Sequence, residues 1–180
     1  MSGSEIRIRP EEPRDHARVH EIVEAAFGKP AEAVLVDRLR GRVRPEVSLV
    51  AVRSAASGPE LVGHIYFSPV RVGPTGRSAI ALGPVSVDPA CQDAGIGSQL
   101  CRQGLEACRE IGEPVVFVLG HPSYYPRFGF RPARPHGLYY KDDRFDGAFF
   151  VAELEPGALA GFAGEVRYRP EFDETEKARD

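Results

Sequence analysis

The stretch LGPVSVDPACQDAGIGSQL, residues 82–100, decides how the middle of the chain folds. Its first part, residues 82–87, is an apolar run of the kind that forms a buried β-strand. The turn formed by residues 92–97 follows, in which Gly95 and Gly97 permit tight backbone conformations. A helical pattern begins at this turn. The stretch therefore predicts a strand that passes through a short turn directly into the N-terminus of a helix.

A turn of this kind is a candidate site for a phosphate group. The first backbone N–H groups of a helix have no partner within the helix, and the helix dipole adds partial positive charge there. Two nucleotide motifs do not fit, because Gly97 is followed by Ser98-Gln99 rather than by the Lys-Ser/Thr of a P-loop or by a third glycine. A helix entry that merely uses glycine and binds nothing is the alternative interpretation.

Hydrophobic periodicity predicts one α/β domain built around this unit. The long helix after the turn is expected to bury one face that ends at Ile111. The connection around Ser57-Gly58-Pro59 is expected to be longer than a tight turn. The predicted elements, in chain order, are a strand at 6–9, helices at about 13–27 and 31–39, strands at 48–53, 61–70 and 79–87, the helix from 96 to Gly112, a strand at 114–119, an aromatic segment at 121–130, and a final hairpin of 138–140 with 148–154.

The two ends of the chain are expected to differ in order. Residues 1–166 form the predicted domain, and the densely charged residues 167–180 are predicted to be a loosely held tail. The N-terminus lacks the apolar run of a signal peptide, and no stretch approaches the ~20 apolar residues that cross a bilayer.

Composition narrows the classes of function. The chain has 180 residues, of which 42% are hydrophobic and 27% charged, as in an ordinary soluble domain. Its net charge of −3 gives no basic field that would favour nucleic acid or an anionic membrane as a partner. Cys91, Cys101 and Cys108 form no metal-binding or redox pair. We therefore expect a cytoplasmic protein with no metal.

Two motifs in sequence order carry a resemblance to a known family. The first is Gln92-Asp93-Ala94-Gly95-Ile96-Gly97, which matches the Gln/Arg-x-x-Gly-x-Gly/Ala pattern of the GNAT superfamily of N-acetyltransferases. The second is YYPRFGF at residues 124–130, which resembles the family's Phe-Tyr-x-x-x-Gly-Phe segment and follows the next predicted strand. The chain also resembles the GNAT subgroup typified by YhbS. The motifs span residues 82–130, and the order of elements extends the likeness over most of the chain.

The resemblance implies a fold and a cofactor. The expected GNAT fold is of the mixed α/β (α+β) class, a single domain with a mixed, splayed central sheet flanked by helices. Acetyl-CoA is expected to place its pantetheine arm where the sheet splays, and Gly83-Pro84 favours this because proline lacks an N–H and suits a bulge. The residues that the resemblance assigns to acetyl-CoA (coenzyme A) are Val85, Ser86, Val87, Gln92, Asp93, Ala94, Gly95, Ile96, Gly97 and Ser98.

The resemblance also assigns a catalytic role to Tyr125, as the general acid that protonates the departing coenzyme A thiolate. The alternative is that this tyrosine only packs with neighbouring aromatic side chains, as Tyr124 is expected to do. No general base can be read from the sequence. His121 and His64 are candidates, with a purely structural histidine as the alternative for each, and Asp88 is expected to form a turn.

The resemblance thus implies an N-acetyltransferase that moves an acetyl group to a primary amine by direct transfer in a ternary complex. A non-catalytic acyl-CoA-binding or sensory module with the same fold is one alternative, and a ligand-free scaffold is another. The acceptor, a small-molecule amine or a peptide or protein amine, is not identified, and the family is compatible with a homodimer. The loops expected to select the acceptor are 27–44 and 132–147, and the second contains Arg134, His136, Tyr139, Tyr140, Lys141, Asp142, Asp143 and Arg144.

Overall fold

A nine-stranded, mostly antiparallel sheet forms the centre of the computed structural model, which describes residues 5–177. The strands are β1 (Ile6–Pro10), β2 (Val47–Ala55), β3 (Gly58–Val72), β4 (Arg77–Val87), β5 (Val115–Leu119), β6 (Arg131–Pro132), β7 (Leu138–Tyr139), β8 (Phe149–Glu153) and β9 (Gly164–Arg167). Seven of them run in the order β1-β2-β3-β4-β5-β8-β6, while β9 pairs with β3 and β7. The β4–β5 pair within that order is parallel.

Within the described residues, four α-helices cover the two faces of the sheet: α1 (His16–Phe27), α2 (Ala31–Leu39), α3 (Ile96–Glu110) and α4 (Pro170–Lys177). Adjacent residues of a strand face opposite ways. Leu49 of β2 accordingly packs in the core beneath α3, whereas Val50 packs with α1 and α2. This arrangement confirms the expected mixed α/β domain with a helix-flanked sheet.

Helix α3 approaches the sheet closely because a glycine faces it. A Cβ added to Gly104 would lie 2.5 Å from Cε2 of Phe67, so any larger residue would push the helix away. The expected buried face is present, but Ile111 is 51% exposed and the prediction for that residue was wrong. The helix ends at Glu110, and Ile111 is the capping residue, so its side chain no longer follows the helical stripe.

Two predicted hairpins differ from those observed. Ala55 pairs with Gly58, so the β2–β3 loop has two residues and is shorter than predicted. The prediction that residues 138–140 and 148–154 form a final hairpin was wrong. Strand β8 pairs with β5 and β6, while β7 runs parallel to β9. Strand β5 is buried, and pairing with the apolar β8 satisfies its backbone groups over five residue pairs.

The end of the chain is more ordered than its charge suggested. Strand β9 ends at Arg167, and α4 follows and packs against α2, with Phe172 on a small core that includes Leu39 and Tyr66. Residues 1–4 and 178–180, which the sequence placed at the domain start and in the tail, lie outside the described residues. No helix in the described part of the chain has the length and apolar character needed to span a membrane.

Strands β4 and β5 separate partway along their length. Their parallel pairing covers Ile80–Leu82 of β4 and stops there, although β4 continues to Val87. At the same point β4 bulges against β3, since Ile65 pairs with Val85 and Phe67 pairs with Leu82. The expected bulge at Gly83-Pro84 and the splayed sheet are therefore confirmed. Beyond the bulge, one edge of β4 is open where β5 would otherwise pair.

Candidate active site

The turn before α3 is held in place by local hydrogen bonds. The Asp88 carboxylate accepts from the Ala90 N–H at 3.0 Å, which fixes the short helical turn Pro89–Cys91 and confirms Asp88 as a turn-former. The Gln92 amide donates to the Val87 carbonyl at 3.2 Å and ties the turn back to β4. Gly95 caps α3 with a φ of 77°, a conformation that glycine adopts without strain.

A cavity of about 610 Å³, here called the turn cavity, opens at this turn. It lies between the free end of β4, the N-terminus of α3 and the aromatic segment after β5. Of the predicted acetyl-CoA residues, Ala94 is exposed and does not line it. The predicted residues that do line it are Val85, Ser86, Val87, Gln92, Asp93, Gly95, Ile96, Gly97 and Ser98, and Tyr125 joins them.

A second cavity, of about 250 Å³ and here called the aromatic cavity, opens on the other side of the splay. Five aromatic side chains line it, together with the bulge of β4 and the end of β5. Phe27, Val85 and Tyr125 line both cavities, so the two spaces meet at the point where β4 leaves β5. The five aromatic residues are Phe27, Tyr125, Tyr140, Tyr168 and Phe172.

Tyr125 occupies the junction and is only 8% exposed. Burial raises the pKa of its phenol, and the nearby Cys101 and Tyr124 raise it further, so the hydroxyl stays protonated near neutral pH. The ring packs edge-on against Tyr124, with centroids 5.2 Å apart, and against Phe130 at 5.7 Å. Tyr125 therefore packs in the aromatic cluster and also faces both cavities.

Gly120 makes room for that ring. A Cβ at this position would lie 2.2 Å from Cε2 of Tyr125, which is far inside van der Waals contact. The residue immediately after β5 must therefore be glycine if the tyrosine ring is to stand where it does. Gly120 could not be predicted from the sequence, because the need for glycine there comes from a tertiary contact rather than from a local turn.

Tyr124 packs against Tyr125 and Phe128, as expected, and its hydroxyl also reaches the turn before α3. A Cβ at Gly97 would lie 3.1 Å from the Tyr124 hydroxyl, so the phenol reaches directly over the turn. The hydroxyl lies close to Ser98 and Cys101, and burial raises the pKa of the Tyr124 phenol. Arg127, also not predicted, lines the turn cavity with its guanidinium 4.8 Å from the centre of the Tyr124 ring.

The two candidate histidines lie in different places. His121 is exposed on the wall of the turn cavity, with Nδ1 2.9 Å from the Ser123 hydroxyl. His64 is fully buried and lines neither cavity. Its Nε2 lies 2.9 Å from the Ser48 hydroxyl and 3.7 Å from the Glu11 carboxylate. Burial lowers the pKa of His64 despite that carboxylate, so the ring is neutral at pH 7.

Glu32 is the acidic residue that sequence reasoning missed. It stands in the first turn of α2, is 2% exposed and lines the aromatic cavity. Of the two loops expected to select the acceptor, 27–44 contributes Phe27, Glu32 and Leu35 to this cavity, and among the mixed polar residues of 132–147 Tyr140 alone lines it. Part of the wall comes instead from Tyr168, Phe172 and Thr175, which belong to the region predicted to be a tail.

A splayed sheet with a glycine turn at the N-terminus of α3 defines the GNAT class of acetyltransferase. The sequence profile of the acetyltransferase (GNAT) domain matches residues 7–133. The chain is 33% identical to the uncharacterized N-acetyltransferase YhbS of Escherichia coli K12, over 92% of this chain and 98% of that protein. The chain therefore belongs to the GNAT family, as its two motifs suggested.

Solved structures agree with this assignment. The crystal structure of E. coli YhbS in complex with CoA superimposes with a TM-score of 0.86 at 33% identity, covering 96% of this chain and 94% of that one. A GNAT family acetyltransferase from Brucella melitensis in complex with acetyl-CoA gives a TM-score of 0.76 at 34% identity, covering 95% and 100%. Both relatives thus share the fold over nearly their full lengths.

Proposed function

We propose that the protein transfers an acetyl group from acetyl-CoA to a primary amine, directly and within a ternary complex. One observation carries the proposal: two cavities on opposite sides of the splay meet at Phe27, Val85 and Tyr125. An acyl donor in one cavity and an amine in the other would bring their reacting ends together at this junction. Holding both reactants in one geometry removes much of the entropic cost of a bimolecular reaction.

The turn cavity is the proposed site of acetyl-CoA. The backbone N–H groups at the start of α3 suit a pyrophosphate, and Gly97 keeps a side chain out of its path. The open edge of β4 at Val85, Ser86 and Val87 suits the amide groups of the pantetheine arm. The CoA and acetyl-CoA complexes of the two relatives support this choice of ligand.

Tyr125 is the proposed general acid. In the reaction, the neutral amine nitrogen bonds to the thioester carbonyl carbon and the carbon–sulfur bond breaks. The nitrogen gives up one proton to the base or to water, and the departing thiolate takes a proton from Tyr125, which is then reprotonated by water. The raised pKa of Tyr125 keeps that proton available near pH 7. The attacking amine is mostly protonated at that pH and must lose a proton first. His121, on the wall of the turn cavity, is the remaining histidine candidate for the base.

Thermal stability of the purified protein against acetyl-CoA, coenzyme A, ATP and NAD tests the cofactor. A ligand at a hundred times its dissociation constant adds about 2.7 kcal/mol to the free energy of unfolding. We expect a shift with the two coenzyme A compounds alone. No shift with acetyl-CoA would remove the basis of the proposal.

Release of free thiol with a panel of amines then separates an enzyme from a binding-only module of the same fold. Acetyl-CoA binding without thiol release from any amine would favour the module. The proposal also extends to a reducing, cytoplasmic setting, which the three unpaired cysteines support.

A further inference from the structure

The composition of the aromatic cavity carries information about the acceptor. Among the side chains that the structure describes, its lining is apolar or aromatic apart from Glu32, Thr175 and the tyrosine hydroxyls. Glu32 is therefore the charged group of the described wall. A carboxylate surrounded by apolar surface attracts a cation strongly, because little water screens the interaction.

We infer that the acceptor is a small primary amine with an apolar, preferably aromatic, body, and that Glu32 binds its ammonium group. The bound ammonium gives one proton to the base or to water before the neutral amine attacks the thioester. The inference rests on the proposed function, since it assigns the aromatic cavity to the acceptor. It adds the chemical class of the substrate and the residue that selects it.

Glu32 is suited to hold such a cation. Its place in the first turn of α2 sets the carboxylate near the positive end of the helix dipole. Glu32 already has an interaction within the folded chain. An ionised carboxylate has two oxygens and about four lone-pair directions, so it can accept from a bound ammonium in addition.

The aromatic residues supply the second part of the recognition. Tyr140 and Tyr168 meet edge to face with centroids 5.2 Å apart, and Tyr168 and Phe172 do so at 5.0 Å. Ring faces attract both apolar groups and cations. The chain provides an example, because the Lys141 ammonium lies 5.1 Å from the centre of the Tyr140 ring.

The size of the cavity limits the acceptor. Its 250 Å³ is the space of about eight water molecules at ≈ 30 Å³ each, which suits one small ring with a short arm. It is below the usual ≈ 300–1,000 Å³ of sites for drug-sized ligands. A polyhydroxylated sugar amine would also leave many hydroxyls facing apolar walls without partners.

The test uses the full chain and defined probes: benzylamine, n-butylamine, benzyl alcohol, glucosamine and glycylglycine. With saturating acetyl-CoA, thiol release should be at least about tenfold more efficient with benzylamine than with glucosamine or glycylglycine. Direct titration, which needs no turnover, should detect benzylamine binding and no binding of the neutral benzyl alcohol. Equal use of glucosamine or glycylglycine would overturn the inference, and so would failure of benzylamine both to bind and to react.

The variant Glu32→Gln keeps the shape of the side chain and removes its charge. It should lower kcat/KM for benzylamine about tenfold to hundredfold, the effect of losing a hydrogen bond to a charged group. Stabilisation by acetyl-CoA should be unchanged. Glu110→Gln, which removes one charge from the exposed end of α3, is the matched control and should match wild type. Wild-type efficiency in Glu32→Gln would overturn the role of Glu32.

Phe172→Leu keeps the test decisive if Glu32→Gln does not fold. Wild-type protein should have a higher kcat/KM for benzylamine than for n-butylamine. The variant retains apolar volume and removes one ring, so it should narrow this advantage. An unchanged advantage would contradict the aromatic part of the inference.

Failure of the proposed function would give a different result: wild-type protein would show neither stabilisation by acetyl-CoA nor thiol release with any amine. Benzylamine binding that depends on Glu32 would still support the site in that case.

Discussion

The turn cavity and the aromatic cavity meet at Tyr125, yet the chain builds them in different ways. The turn cavity comes mainly from two short stretches, residues 85–98 and 121–127. The aromatic cavity draws its wall from segments scattered between Phe27 and Thr175. The turn cavity combines the glycine turn and the open edge of β4 with a few side chains, whereas the wall of the aromatic cavity consists mostly of aromatic and apolar side chains.

This difference fits what each cavity is proposed to bind. A ligand common to a whole family can be held by backbone groups, which every sequence has, provided that the local turn is preserved. An acceptor that differs between members must be selected by side chains, and these can change without altering the fold. We therefore expect variants in the turn cavity to affect acetyl-CoA binding and variants at the junction to affect transfer.

Gly97→Glu should have the largest effect. The substitution places bulk beneath the Tyr124 hydroxyl, 3.1 Å from the new Cβ, and a negative charge where the pyrophosphate is proposed to lie. Like charges in contact cost several kcal/mol, so acetyl-CoA affinity should fall by about a hundredfold or more. The shift in thermal stability on adding acetyl-CoA measures this loss of affinity. Gly147→Glu, at an exposed glycine with open space around it, is the control. Wild-type affinity in Gly97→Glu would refute the assignment of the turn cavity.

Tyr125→Phe should separate transfer from binding. Removing the hydroxyl leaves the ring in its packing position but removes the proposed acid, so kcat should fall by about a hundredfold. Stabilisation by acetyl-CoA should stay the same. Tyr124→Phe is the comparison, because the Tyr124 hydroxyl stands over the turn, 3.1 Å from where a Cβ of residue 97 would lie. It should weaken acetyl-CoA binding and leave kcat within about threefold. An unaltered kcat in Tyr125→Phe would leave this residue with a packing role alone.

The same contrast explains what the sequence could predict. The strand–turn–helix unit, the bulge at Gly83-Pro84 and the turn residues were predictable because neighbours in sequence determine them. Glu32 and Phe172 were not, because their role depends on α2 and α4 packing together near the splay. Pairing of β8 with β5 was missed for a similar reason, since strand partners distant in sequence leave no local pattern.

Gly120→Ala should have a smaller effect at the junction. The added methyl would stand 2.2 Å from the Tyr125 ring, so the ring or the end of β5 must move. Overpacking of this kind costs about 1–3 kcal/mol of stability. We expect about a tenfold lower kcat, because displacement of a positioned group slows the reaction. Urea unfolding and thiol release measure the two effects, with Gly147→Ala as control. Full kcat would show that the position of this ring is not critical.

His64→Asn should have the smallest effect on transfer, because His64 lines neither cavity. We expect kcat within about twofold of wild type, since substitutions away from a site seldom reach it. A large loss of kcat with normal stability would return His64 to the candidates for the base. It would also show that transfer at the junction of the two cavities depends on residues that do not line either cavity.

The effect of His64→Asn on acid stability should be clear. Burial lowers the pKa of His64 in the folded protein, whereas in the unfolded chain the ring takes up a proton near pH 6.5. Below pH 6.5 the unfolded state therefore binds more protons than the folded state. The contribution of neutral His64 to the free energy of unfolding is present above pH 6.5 and is lost as the pH falls below it. The slope for one proton is at most about 1.4 kcal/mol per pH unit. Urea unfolding at pH 7.5 and 5.5 measures this effect. Between these two pH values the free energy of unfolding should fall less in His64→Asn than in wild type. Equal falls would mean that His64 is protonated in the folded protein as readily as in the unfolded chain.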